Sequence, residues 1–223
     1  MLFRNGVVEH VTDRDITVAH SGLNLVDYAW PLDEKLCPCD LQFLKWIDGN
    51  SIRNAAIFHF GTGAHHFVGI ENAKASRKNS VYGVTASVAE HDAYEKLIIE
   101  TPQTLRYYQV FFCDAYMLNE QLLPLFDVIS LFHLCEFRDE RSDAYGAYTD
   151  LELLMMLTRK AKSGARILFY EGSNGFKRTD GNTNDVLRAW EERCDVQRVG
   201  TFESLLVYTV RASRTVPSPE LTA

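Results

Sequence analysis

No apolar run among the 223 residues reaches the roughly 18 that a membrane-spanning helix requires. The start of the chain, Met1-Leu2-Phe3-Arg4-Asn5-Gly6, has no basic segment followed by an apolar stretch. No secretory signal is expected, and a cytoplasmic location is the default. Positive charge is also short: 23 Lys and Arg against 30 Asp and Glu leave a net charge of -7. A chain so balanced lacks the broad basic surface of a non-specific nucleic-acid binder, which argues against nucleic acid as a partner.

Cysteine is sparse, odd in number and widely spaced: Cys37, Cys39, Cys113, Cys135 and Cys194. Such a set argues against a disulfide framework. Cys37-Pro38-Cys39 is a C-x-C pair, but no second pair completes a four-ligand zinc site, so no metal is assigned. The pair reads as a turn stiffened by Pro31 and Pro38. Internal repeats and low-complexity tracts are absent. The proline-rich stretch Val216-Pro217-Ser218-Pro219-Glu220 follows the last apolar run, so residues 213–223 read as a frayed tail.

What is present is a regular alternation of apolar runs and helical patterns over residues 51–212. Residues 1–50 are less regular and read as an N-terminal extension able to act as a lid. Within them, Val7–Val11 and Asp15–Val18 alternate as a hairpin would. Asp40 N-caps a short amphipathic helix that Gly49 stops. Ala55–Phe60 is a nearly continuous apolar run ending at glycine, which fits a buried parallel strand. Further strands are expected near residues 80–84, 107–113, 126–132 and 166–170. Helices fit His65–Ala75, the stretch from Ser87 to Ile99 before Pro102, and Asp185–Cys194. Thr149 and Glu152 form a capping box for a helix running to about Lys162. Only Glu203 and Ser204 separate the last two strands, near 196–202 and 205–210, so these must form an antiparallel hairpin. The expected fold class is α/β: a doubly wound, mostly parallel, seven-stranded sheet with a C-terminal antiparallel hairpin.

In such a sheet ligands sit at the carboxyl ends of the strands. Gly61-Thr62-Gly63 follows the first buried strand, where glycine lets the backbone turn and approach a ligand. Position 66 is histidine, so the third glycine of the dinucleotide pattern is missing; the phosphate-cradling G-x-x-x-x-G-K-[ST] pattern is missing too.

Five segments in order carry a resemblance: Ala56–Gly63, Val81–Ser87, Phe112–Ala115, Phe126–His133 and Lys162–Leu168. With the closing hairpin, they resemble the class I S-adenosylmethionine-dependent methyltransferases across about residues 52–211. The resemblance implies S-adenosylmethionine as cofactor and methyl transfer to a small-molecule acceptor. It implies Gly61 and Gly63 at the methionine part, flanked by Phe60 and Thr62, Asp114 at the adenine amino group with Ala115 beside the ring, and Phe132 and His133 near the sulfonium. The family usually has an acidic residue at the end of its second strand, where it binds both ribose hydroxyls; here Thr85 stands there, so Glu90 or Asp92 must compensate or the cofactor binds otherwise. The alternative is a catalytically inactive domain of this fold that serves as a binding or scaffold protein. Homo-oligomerisation is left open.

For catalysis, His133 or His66 is expected to take a proton from the acceptor, with Glu171 orienting a substrate amine. Polar pocket lining or helix capping accounts for the same histidines, and so does a metal site with Cys135 or Glu136. Adjacent helical histidines point about 100° apart, so His65 and His66 do not easily share one ion. Tyr28, Trp30 and Trp46 suit either an aromatic substrate wall or an anchor for the extension. Residues 138–143 read as a solvated charged loop.

Overall fold

The computed structural model describes residues 2–4, 7–9, 29–179 and 181–211. Near the start of the chain, β1 (Leu2–Arg4) and β2 (Val7–Glu9) pair antiparallel in a two-stranded sheet of their own. The sequence between them, Asn5-Gly6, is the pair that most favours a two-residue hairpin loop. Val7–Glu9 thus pairs backwards with Leu2–Arg4; the expected partner Asp15–Val18 lies outside the described residues, as do Tyr28 and the 213–223 tail.

The large sheet contains β3 (Ala56–Phe60), β4 (Ser80–Thr85), β5 (Tyr108–Phe112), β6 (Phe126–Ser130), β7 (Ala161–Tyr170), β8 (Val196–Phe202) and β9 (Leu205–Val210). Their spatial order is β5-β4-β3-β6-β7-β9-β8. The first five pair parallel, and β9 joins antiparallel to both β7 and β8. The seven-stranded, mostly parallel sheet with a closing hairpin is therefore as expected. The order turns back between β3 and β6, which opens a crevice beyond their carboxyl ends.

Both faces of the sheet are covered, because successive strand residues point to opposite sides. Ile57, Val81, Val128, Leu168 and Val207 face one cluster, closed by Phe43, Trp46 and Ile47 of α1 (Cys39–Gly49). Phe58, Ile129, Ile167 and Phe169 face the other, closed by α5 (Asp150–Arg159) and α7 (Thr183–Glu191). Trp46 is thus core, and α1 is built into the same body as the sheet. The remaining helices are α2 (Phe67–Ala73), α3 (Val88–Glu100), α4 (Glu140–Ala144) and α6 (Asn174–Lys177). No helix among the described residues is long and apolar enough to cross a membrane.

Three boundaries differ from expectation. The α5 helix ends at Arg159, and β7 begins at Ala161, five residues before Arg166, because Ala161 pairs with Phe126 and draws the strand back along β6. The α2 helix begins only at Phe67, because His66 adopts a left-handed conformation (φ 47°) at its N-cap. The charged run 138–143 folds into α4 through a capping box of Asp139 and Ser142.

Candidate active site

A cavity of about 460 Å³ opens at the carboxyl ends of β3 to β7, a size within the range of small-molecule sites. Residues 30–40, leading into α1, form its opposite wall. Phe60 ends β3 at the cavity, and the chain then turns through Gly61 (φ 85°) and Gly63 (φ 57°). A left-handed backbone disfavours any residue with a Cβ at both positions. Gly61 N–H donates to Val84 O at 3.1 Å, which ties the loop to β4. The His65 imidazole folds back over Gly63, where a Cβ would collide with it, and its Nδ1 accepts from Phe67 N–H at 3.1 Å.

Thr85 ends β4 at the cavity and donates its hydroxyl to Glu90 Oε2 at 2.6 Å; Thr62 donates to the same oxygen at 3.2 Å. Glu90 lies in the first turn of α3, whose N-cap Ser87 accepts from Glu90 N–H at 3.2 Å. The cap thus aims a buried carboxylate at the cavity, next to the strand end where Thr85 lacks one. Asp92, the other expected substitute, is exposed and does not line the cavity. At the end of β5, Asp114 accepts from Tyr116 N–H through Oδ1 (2.9 Å) and from the Tyr145 hydroxyl through Oδ2 (2.6 Å), so both oxygens are fixed. Ala115 lines the cavity beside it.

The same cavity holds a cluster that local sequence patterns did not join. Cys37 Sγ is 3.4 Å from Cys39 Sγ and 3.9 Å from His133 Nε2. His133 Nδ1 lies 3.2 Å from Glu136 Oε1, which also accepts from Asn174 N–H at 2.8 Å. The Cys37 thiol is pulled down to about 5, chiefly by the Cys39 thiol, with His133 adding to this against burial. Burial acts to lower His133, but its bonds to Cys37 and Glu136 outweigh it and raise the imidazole to about 10. Beside the cluster, burial pushes the Asp40 carboxyl up to about 7. His59 and His65 approach Asp40 at 3.8 and 3.7 Å. Burial holds them down to about 3 and about 4, so near neutral pH both imidazoles are uncharged and neither contact is an ion pair.

Of the residues singled out in the sequence, the cavity collects Phe60, Gly61, Gly63, Thr85, Asp114, Ala115 and His133. Thr62 stands behind Glu90, and Phe132 packs in the core edge-on to Phe43. His66 is buried with Nδ1 against the Tyr108 hydroxyl (2.7 Å) and Nε2 against Glu90 O (2.8 Å), and does not line the cavity. Glu171 is exposed outside it, its backbone N–H bound to Ser204 O. Trp30 does reach the cavity rim. The turn reading of Cys37-Pro38-Cys39 is corrected: Cys39 is the first residue of α1, Pro38 is its N-cap in place of Asp40, and Cys37, Cys39 and Asp40 all line the cavity. The C-x-C spacing was the one sequence signal for this cluster.

No family model and no curated protein matches this chain in sequence. Solved structures do match in fold. A protein described as an S-adenosyl-L-methionine-dependent methyltransferase from Methanococcus maripaludis superposes with a TM-score of 0.55 at 12% identity, over 82% of this chain and 90% of that one. The [4+2]-cyclase SpnF superposes at 0.52 with 14% identity, over 77% of this chain and 63% of that one. The StiE O-MT fragment, residues 942–1257, superposes at 0.50 with 13% identity, over 71% and 50%. This chain thus spans between half and two thirds of the latter two proteins. It shares the fold of S-adenosylmethionine-dependent methyltransferases such as the Methanococcus protein, here a mostly parallel seven-stranded sheet closed by an antiparallel hairpin.

Proposed function

We propose that this protein catalyses S-adenosylmethionine-dependent methyl transfer to a small-molecule acceptor. The observation that carries this reading is the Glu90 carboxylate, buried at the cavity and held by Thr85 and Thr62. A carboxylate has about four lone-pair sites, so Glu90 keeps capacity for the hydroxyls of a ribose. The rest of the cleft fits the same ligand: Gly61 and Gly63 leave the loop open to close approach, and Asp114 sits at the end of β5 beside Ala115. When bound, S-adenosylmethionine supplies an electrophilic methyl group on its sulfonium. The chain's own task is then to bind and align the acceptor, because direct displacement rests mainly on proximity and orientation. Trp30, Leu36 and Tyr170 provide apolar surface for that acceptor at the cavity. His133 is the one expected acid–base residue that reaches the cavity, and Glu136 fixes its ring.

Isothermal titration with S-adenosylmethionine and S-adenosylhomocysteine tests the reading. Binding of both is expected, weakened about 10- to 100-fold in Glu90→Gln as a bond to a charged group is lost. Absence of heat at millimolar cofactor, with folded protein by circular dichroism, sinks the proposal. Binding without turnover of any small acceptor favours the scaffold alternative.

A further inference from the structure

We propose that Cys37 Sγ, Cys39 Sγ and His133 Nε2 form a three-ligand site for a thiophilic divalent cation of the zinc class, with a fourth coordination position open to the cleft. One potential ligand atom from each of the three residues falls within 4.8 Å of the others. With Zn–S near 2.3 Å and Zn–N near 2.05 Å, a tetrahedral ion holds S–S edges of about 3.8 Å and S–N edges of about 3.6 Å. Two edges measure 3.4 Å for the two sulfurs and 3.9 Å for Cys37 Sγ to His133 Nε2, and the third lies within 4.8 Å, so side-chain adjustments of about 1 Å or less complete the geometry.

A second feature points the same way. A metal-binding histidine commonly gives its other ring N–H to a carboxylate, which fixes the tautomer and orients the ring. His133 Nδ1 faces Glu136 Oε1 at 3.2 Å, and Asn174 N–H pins that same oxygen at 2.8 Å. With Nδ1–H directed to Glu136, Nε2, the nitrogen turned to the sulfurs, is the one that gives up its proton to become a ligand when an ion binds. The Cys39 thiol donates to Asp40 Oδ1 at 3.7 Å; on binding, the ion takes the place of that proton.

Closed structural zinc sites have four protein ligands, whereas sites with chemistry keep one position open. All three ligands here line the cavity, so the open position is available to water or to a donor atom of a molecule in the cleft. The site shares His133 with the methyl-transfer reading, where that residue has the acid–base role, but not the cofactor groups at Glu90 and Asp114.

The test uses the full chain, reduced and stripped with a chelator, titrated with Zn²⁺ against a chromogenic competitor and with Co²⁺ by absorption. One equivalent of Zn²⁺ is expected, with thiolate-to-metal charge-transfer bands in the Co²⁺ form. Bound Zn²⁺ should protect Cys37, the partly exposed thiol of the pair, but not Cys194, from alkylation mapped by mass spectrometry. Cys37→Ser/Cys39→Ser should abolish binding, Glu136→Gln should weaken it about 10- to 100-fold, and Cys194→Ser should leave it unchanged. Folded wild type that binds no Zn²⁺, Co²⁺ spectra without thiolate bands, or equal alkylation with and without Zn²⁺ would overturn the proposal. The alkylation measurement needs no variant, so it decides the matter even if the double substitution does not fold. Cofactor titration on the stripped protein separates the two proposals, since S-adenosylmethionine is expected to bind whether or not Zn²⁺ does.

Discussion

His59 shows how one position in β3 couples burial to pH. Its ring packs against Phe43 and Phe132, which also touch each other, with Nδ1 2.8 Å from Ser130 Oγ. Burial lowers it to about 3, whereas an unfolded histidine titrates near 6.5. Below pH ~6.5 the unfolded chain therefore takes up a proton that the native chain refuses, costing about 1.4 kcal/mol of stability per pH unit until the native group titrates. Asp40, raised to about 7, has the opposite slope, because the native carboxyl binds a proton that the unfolded one has lost. Comparing wild type with His59→Gln isolates the histidine. Urea midpoints measured from about pH 7 to about pH 4 should fall more steeply in the wild type, and parallel curves would show that His59 carries no such load. Gly61 has a different constraint. A Cβ there would meet only His133 Cδ2 at 3.7 Å, an ordinary contact, so the cost of Gly61→Ala is the left-handed backbone. That cost is about 1–2 kcal/mol, visible as a lowered Tm. Gly61, Gly63 and Asp114 could be read in the sequence because the backbone turn and the strand end are local. Cys37 could not be placed, because its partner His133 is 96 residues away.

At the scale of elements, the helix signals were the most legible. Thr149 accepts from Glu152 N–H at 3.2 Å while Glu152 Oε2 accepts from Thr149 N–H at 2.8 Å, the reciprocal pair read from the sequence. Thr149→Ala should cost about 1 kcal/mol, measured by chemical denaturation, with little change in the cleft. Ser87 capping α3 and the two-residue hairpin between β8 and β9 were legible for the same reason: the groups that decide them lie within a few residues. The start of β7 was not, since pairing of Ala161 with Phe126 overrides the local look of Lys162-Ser163-Gly164. Nor was the left-handed His66, whose ring is clamped by Tyr108 and Glu90 from two other elements.

Across the whole molecule, the hairpin β8–β9 is joined to the helices through Trp190. That side chain is fully buried, donates through Nε1 to Thr158 Oγ1 at 2.9 Å, and packs on Phe169 and Tyr208. Trp190→Ala opens a large cavity and leaves Thr158 without its donor, for an expected loss of about 3–5 kcal/mol in urea titration. A loss well below that range would mean that α7 collapses onto β9 to refill the space.

The alternation of apolar runs, the glycine turn after the first buried strand and the two-residue gap before the last strand determined the α/β sheet and the end of it that opens as a cleft, because periodicity and turn chemistry act over neighbouring residues. The tertiary structure alone decided what faces that cleft. Sheet order brings β3 and β6 side by side, and α1 packs across their face, so Cys37, Cys39 and Asp40 meet His133, while Glu90 supplies the carboxylate that Thr85 lacks. Those meetings depend on contacts distant in sequence, which no local pattern in the chain encodes.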